Sequence, residues 1–395
     1  MPTATGAWLP GDPPGGRQFA RLGALTLESG RRLPDVTVAF ETYGALSPAR
    51  DNAVLVLHAL TGDSHAAGPA GPGHPTPGWW DGLIGPGRAI DTRRWFVVVP
   101  NVLGGCQGTT GPVEGGCGFP RLTVRDQVAA EIGLANTLGL TQWACVVGGS
   151  MGGMRALEWG VTAPERVGSL IVLASSAAAS AEQIAYCGLQ VDAIRADPHW
   201  HGGGYRSRSH PPAESAAGAE GLAPGPCPGP VEGLALARRL AHLTYRSEHE
   251  LAVRFGRDTQ DGADAVHTRR YAVESYLDHH ADKLVRRFDP ASYVVLSEAM
   301  NSHDVGRGRG GVARALGRVT MPTLVVTIDS DRLYPRYQQD EIVRHAPGAL
   351  PLRLVHSIHG HDGFLVETGQ VAAAVGPFLE AQADCLVSSP ARRSA

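Results

Sequence analysis

Charge is scarce and nearly balanced in this sequence. Asp, Glu, Lys and Arg make up 18% of 395 residues, and the net charge is −3. No block of cations is present to neutralise phosphates, so neither nucleic acid nor an anionic membrane surface is an expected partner. Long apolar runs are also missing. The longest, 167–179, is broken by serines and too short to span a bilayer, which takes about 20 residues. The first 17 residues are rich in Pro and Gly and lack the basic-then-apolar pattern of a secretory signal. A cytoplasmic protein is therefore expected. The six cysteines form no C-x-x-C, so reduced thiols are expected rather than disulfides. The histidines form no H-E-x-x-H or other zinc spacing, so no metal site is expected, and the pair His279-His280 reads as a solvated helix face. The glycine-rich stretch 104–120 has no Lys-Ser/Thr after its glycines, which excludes a Walker-type phosphate loop. The basic stretch 305–311, V-G-R-G-R-G-G, follows no strand, and it reads as a loop rather than a dinucleotide turn or an RNA contact. No fixed-period repeat is visible.

What is present is apolar and ordered. With 43% apolar residues the chain can bury a large core, and its length suits one large domain with an insertion, or two domains. Residues 36–43 alternate apolar and polar, as a half-buried strand does. Continuous apolar runs at 52–58, 95–99, 143–147, 169–174, 323–328 and 352–358 read as strands buried on both faces. Helix-period segments lie between them at 123–138, 154–161, 337–345 and 366–379. That alternation predicts an α/β fold with a mostly parallel sheet covered by helices. Between about 178 and 305 the strand-like runs vanish. Helices are expected there at 181–196, 234–245 (with Leu236, Leu240 and Leu243 along one stripe) and 271–288, and Ser247 with Glu250 opens another. Residues 201–233 are low-complexity Gly, Pro, Ser and Ala and read as a flexible loop. The expected organisation is a core of 20–177 and 306–382, a helical lid of 178–305, and flexible tails of 1–19 and 383–395.

The chemistry gathers at strand ends. Gly148-Gly149-Ser150-Met151-Gly152 is a G-x-S-x-G motif between a strand and a helix, the pattern of a nucleophile elbow. A serine hydroxyl is a poor nucleophile at neutral pH. It needs an imidazole to take its proton and a carboxylate to orient that imidazole. Both types follow later strands, Asp329 or Asp331 and then His359 or His361, in the chain order Ser, Asp, His of α/β hydrolases. In parallel sheets such ends share one rim. The oxyanion needs two backbone donors, expected from Met151 and from Leu60 in the turn after the strand at 52–58.

With these motifs in place, the chain resembles the homoserine O-acetyltransferase family, particularly its actinobacterial members. The matching segments include V-L-H-A-L-T-G-D-S-H (56–65), G-P-A-G-P-G-H-P-T-P-G-W-W-D-G (68–82), N-V-L-G-G-C (101–106), G-G-S-M-G-G (148–153), A-H-L-T-Y-R (241–246), N-S-H-D-V-G-R-G-R-G-G (301–311), S-D-R-L-Y-P (330–335) and G-H-D-G-F-L-V-E-T (360–368). The resemblance runs from about residue 20 to 380. It implies an α/β-hydrolase fold with an inserted helical lid. It also implies a catalytic Ser150, Asp331 and His361, with Asp329 and His359 structural. Arg238 would bind the substrate carboxylate, Asp362 would help bind substrate, and Tyr245 would line the same pocket. The implied reaction is ping-pong transfer of acetyl from acetyl-CoA, a co-substrate rather than a resident cofactor, to the hydroxyl of L-homoserine for methionine synthesis. A homodimer through the lid helices is implied as well. One departure stands out: after T-T-G-P (109–112) about ten residues of the usual segment are missing, and Thr109 replaces the usual Ser. The alternatives are a related acyltransferase using succinyl-CoA or another acceptor, such as L-serine or a secondary metabolite; a plain esterase; and a non-catalytic binding protein on the same fold.

Overall fold

The structure is a computed structural model that describes residues 5–115, 118–205, 229–260, 262, 264, 266–267 and 270–388. Its main sheet has eight strands: β1 (Gln18–Thr26), β2 (Arg32–Tyr43), β3 (Ala53–Leu57), β4 (Phe96–Pro100), β5 (Cys145–Gly149), β6 (Leu170–Leu173), β7 (Thr323–Ile328) and β8 (Arg353–Val355). Their spatial order is β1-β2-β4-β3-β5-β6-β7-β8. β2 pairs antiparallel with β1 and β4, and every pair from β4 to β8 is parallel. The central strands are short and continuously apolar because both faces are covered. In β3, Leu55 and Leu57 join the cluster holding Leu134 and Trp159, whereas Val54 and Val56 join the cluster holding Phe378 and Leu379. Successive side chains of a strand point to opposite faces, so one apolar run feeds two cores. Each such side chain contributes roughly 1.5–3 kcal/mol on burial.

The longer helices are α1 (Val124–Thr137), α2 (Met151–Thr162), α3 (Ala181–Arg195), α4 (Val231–Tyr245), α5 (Glu248–Phe255), α6 (Ala272–Val285), α7 (Pro290–Asn301), α8 (Arg336–His345) and α9 (Thr368–Ser388). The start of α1 is written locally: Thr123 accepts from the Asp126 amide, and the Asp126 carboxylate accepts from the Thr123 amide at 2.8 Å. Helices α3 to α7 all lie between β6 and β7, so the chain leaves the sheet and returns to pair β7 with β6. A third apolar cluster joins them to the rim, through Leu60, Met151, Leu234, Leu284, Phe288 and Tyr334. No helix among the described residues is long and apolar enough to cross a membrane.

The α/β architecture agrees with the sequence reading, while several local features differ from it. β1 begins inside the span expected to be a mobile lead-in, and the residues before it are tied down: Gly6 donates to the Phe288 carbonyl and Trp8 to the Cys106 carbonyl. The strand left no sequence signal because, of its nine residues, only Ala20 is buried. Helix α7 was also not anticipated. Asp289 caps it by accepting from Ser292, and Pro290 starts it, but it is buried nearly all round and so shows no amphipathic stripe. β8 is three residues long rather than the seven expected. Helix α9 runs to Ser388, past the point where a tail was expected to begin. Most of the loop expected at 201–233 lies outside the described residues. Its near end does not read as loose, because the Tyr205 ring is buried and its hydroxyl donates to Asp289 at 2.8 Å. In the basic stretch 305–311, Arg307 pairs with Glu28 and Arg309 with Glu158.

Candidate active site

Ser150 sits between β5 and α2 with φ 57° and ψ −124°, a conformation an L-residue adopts only under constraint. The flanking glycines explain how the turn closes. A Cβ on Gly148 would lie 2.2 Å from the Gly152 carbonyl oxygen, and one on Gly152 would lie 2.0 Å from the Leu57 carbonyl oxygen. The backbone can pass there only if neither residue has a side chain. The sharp turn lifts the Ser150 hydroxyl out of the sheet.

The turns after β7 and β8 bring two further groups to it. His361 Nε2 lies 2.8 Å from Ser150 Oγ, and its Nδ1 lies 2.7 Å from Asp331 Oδ2. The other oxygen of Asp331 accepts from the amides of Leu333 and Tyr334, both at 2.9 Å. All three side chains are buried, and the Tyr334 ring stacks on the imidazole at 4.8 Å. Burial works against the charged form of His361, but the charge and hydrogen bond of Asp331 outweigh it, so its pKa lies above 6.5. The residues alone left two Asp and two His open. The other pair goes elsewhere: Asp329 accepts from His356 at 2.9 Å, and His359 lies 3.1 Å from Glu250.

A cavity of about 320 Å³ opens above Ser150. Leu60 and Ser150 line it from the sheet rim, together with Asp63, His361 and Asp362. Arg238, Tyr245, His280 and Lys283 line it from the inserted helices, and Arg287 lines it from the turn after α6. Met151, fully buried, opens α2 directly behind the serine. Two groups of Arg238, Nε and Nη1, are buried without a hydrogen-bond partner among the described residues, and its guanidinium lies 5.5 Å from the centre of the Tyr245 ring. Asp362 pairs with Arg246 at 3.2 Å. Burial raises its pKa against the pull of Arg246, His361 and Arg238. Burial likewise raises the Tyr245 phenol to about 12, with Arg238 acting in the opposite direction.

The chain's relatives fit this geometry. A family model described as alpha/beta hydrolase fold matches residues 52–368. A homoserine O-acetyltransferase of Thermobifida fusca is 57% identical over 384 residues, covering 95% of this chain and 97% of its own. The chain belongs to the homoserine O-acetyltransferase family. Among solved structures, the homoserine O-acetyltransferase of Bacillus anthracis superposes with a TM-score of 0.77 at 26% identity, covering 92% of this chain and 97% of that one. An acetylester hydrolase of Corynebacterium glutamicum, 24% identical, reaches 0.76 over 93% of this chain and 97% of its own, so the fold of this acetyltransferase family also occurs in a hydrolase.

Sequence reasoning missed His280, Lys283 and Arg287. Their spacing, i, i+3 and i+7, would form a basic stripe on the helix expected at 271–288, and that was the available signal, although α6 ends at Val285 and Arg287 lies in the turn beyond it. His280 is the clearest departure. Expected on a solvated face, it is half-buried and stacks on His242 at 3.9 Å. Burial, then Arg238 and Arg246, depress its pKa to about 4. The shortened segment after Thr110 does not reach this cavity: among its described residues none lines the wall. The Thr109 hydroxyl is taken up by backbone, accepting from Ala39 and donating to the Asn101 carbonyl.

Proposed function

We propose that this protein transfers acetyl from acetyl-CoA to the hydroxyl of L-homoserine through an acyl-enzyme on Ser150. The observation that carries the reading is the pairing, in one cavity, of a serine–histidine–aspartate chain with the unpartnered guanidinium edge of Arg238. An amino-acid acceptor brings a carboxylate, which suits that edge, and an ammonium, which suits Asp362.

His361 takes the Ser150 proton as Oγ attacks the thioester carbonyl. The oxyanion forms against the amides of Leu60 and Met151, each worth roughly 3 kcal/mol in the transition state. The intermediate collapses, the thiolate leaves with the proton from His361, and an acetyl-serine remains. The acceptor hydroxyl then gives its proton to His361 and attacks the ester carbonyl, which returns Ser150 and releases O-acetyl-L-homoserine. Asp331 holds the imidazole in the tautomer that receives the proton on Nε2. Tyr245 forms part of the acceptor wall. Acetyl-CoA enters as a substrate and departs as CoA, and no resident cofactor takes part.

The segment 178–305 acts as the lid of this site, keeping water from the acetyl-serine. The same helices offer a dimer contact. Leu236 and Leu243 on α4 and Ile184 on α3 are exposed, with Leu240 between the two leucines half-buried. Such a stripe fits a second copy of the chain. The setting is cytoplasmic, consistent with the free thiols of Cys106, Cys145 and Cys187.

The test is release of CoA from acetyl-CoA with and without L-homoserine. Acceptor-dependent release that disappears in Ser150→Ala is the expected result, and equal release in both conditions would sink transferase function. One observation favours a second reading, succinyl-CoA as donor: Lys283 and Arg287 add two cations to the cavity, which suit a donor carboxylate. A panel of the two thioesters decides between them.

A further inference from the structure

We propose that His58 is a positioning residue that aims the Leu60 backbone N–H into the oxyanion site, and that it acts as a neutral imidazole held in one tautomer. This rests on the acyl-transfer reading of Ser150, with Leu60 as one oxyanion donor.

His58 follows β3, is 1% exposed and does not line the cavity. Its Nε2 lies 3.0 Å from the Val102 amide, which can only donate. A ring nitrogen that accepts carries no proton, so the proton of the neutral ring resides on Nδ1. Nδ1 lies 2.8 Å from the Ala59 carbonyl oxygen and donates to it. The Gly62 amide donates to the same oxygen at 2.9 Å. In a trans peptide the carbonyl and the following N–H point in opposite directions. Pinning the Ala59 oxygen on one side therefore fixes the Leu60 N–H on the other, and Leu60 lines the cavity together with Ser150.

The surroundings hold the clamp. The His58 carbonyl accepts from Arg155 at 2.6 Å, and Arg155 is in turn locked to Glu131 at 2.7 Å. Arg287, in the turn between α6 and α7, donates to the Thr61 carbonyl at 2.7 Å and so fastens the far end of the His58–Gly62 turn. Gly62 belongs to the same device. A Cβ there would lie 2.8 Å from His58 Cβ and 3.2 Å from Nδ1, so the imidazole occupies the space a side chain would need. Burial, reinforced by Arg155 and Arg287, lowers the His58 pKa to about 3, which keeps the ring neutral wherever His361 can act as a base. A proton on Nε2 would oppose the Val102 N–H.

The experiment follows acetylation of Ser150 by p-nitrophenyl acetate without any acceptor, as the rate of the nitrophenol burst. The variants are His58→Leu, His58→Asn and His58→Gln. An Asn amide nitrogen takes the place of Nδ1, whereas a Gln amide takes the place of Nε2. His58→Leu is expected to slow the burst about 10²-fold, the usual cost of a misplaced catalytic group, and His58→Asn to recover at least tenfold over both other variants. The acid limb of the burst-rate pH profile, set by His361, stays where it is in wild type. A burst in His58→Leu within twofold of wild type overturns the inference. If that variant does not fold, a burst in His58→Gln equal to or faster than in His58→Asn overturns it. Absence of any burst in the wild-type protein would instead overturn the acyl-serine reading on which the inference rests.

Discussion

Arg238→Met removes the cation facing Ser150 while keeping most of the side chain's length and packing. Two of its nitrogen groups, Nε and Nη1, are buried and have no hydrogen-bond partner among the described residues, so their desolvation is already part of the folded state. A carboxylate docking there gains charge-assisted hydrogen bonds worth about 1.5–3 kcal/mol each. With one such bond fully lost and the second partly replaced by water, the acceptor loses about 3 kcal/mol, or roughly 150-fold in kcat/KM for L-homoserine. Three features distinguish this from a general defect. Acetylation of Ser150 by a small ester stays within twofold, because that half-reaction does not use the acceptor carboxylate. L-homoserine amide, which lacks the carboxylate charge, loses less than threefold. Thermal stability is unchanged or higher, since the substitution removes two buried nitrogen groups that have no hydrogen-bond partner among the described residues. The assay is steady-state kinetics in both substrates together with the ester burst. An equal loss for L-homoserine and its amide, or a slowed burst, would refute the assignment of Arg238 to the carboxylate.

Other perturbations have equally definite outcomes. Asp331→Asn is expected to lower kcat about 10⁴-fold with the fold intact, checked by kinetics beside circular dichroism, because the imidazole loses the partner that sets its tautomer. The raised pKa of His361 makes activity and stability move in opposite directions with pH. Its contribution to folding is complete below its unfolded value near 6.5 and is lost as pH rises through the higher folded value, while kcat/KM rises through that same folded value as the base becomes free. A pH–rate profile with its acid limb below 6.5 would contradict this. Gly152→Ala should destabilise by about 3 kcal/mol and abolish acylation, since the new Cβ meets the Leu57 carbonyl oxygen; denaturant titration and the ester burst measure the two effects. Arg155→Met leaves Glu131 buried without its cation and should cost about 3–5 kcal/mol in the same titration.

Much of this molecule is local enough to be determined by the sequence alone. Apolar runs of five or six residues specify strands buried on both faces, and β3, β4, β5, β6 and β7 lie where such runs stand. The capping box at Thr123 and the glycines around Ser150 act within a few residues, so the start of α1 and the elbow could be read directly. The order Ser, Asp, His, and the ends of the strands that carry them, follow from chain order and from the rule that parallel strands share a rim.

Only the tertiary structure decided what depends on segments distant in sequence. Strand ends and residue types alone offered Asp329 or Asp331 and His359 or His361 as equivalents two residues apart, and only the family resemblance pointed to Asp331 and His361. It is packing that sends His361 to Ser150 and gives Asp329 to His356. His280 lies on α6 and Arg287 in the turn after it, and they face a cavity only because the chain between β6 and β7 folds back over the rim. The opening residues are rich in Pro and Gly, but they are held by carbonyls at 106 and 288 that no local pattern foretells. His58 lies in a readable motif, yet its tautomer depends on an amide 44 residues away. Local periodicity determines which elements form because it acts over one or two turns of backbone; partners and protonation are decided by contacts that exist only once the sheet is assembled.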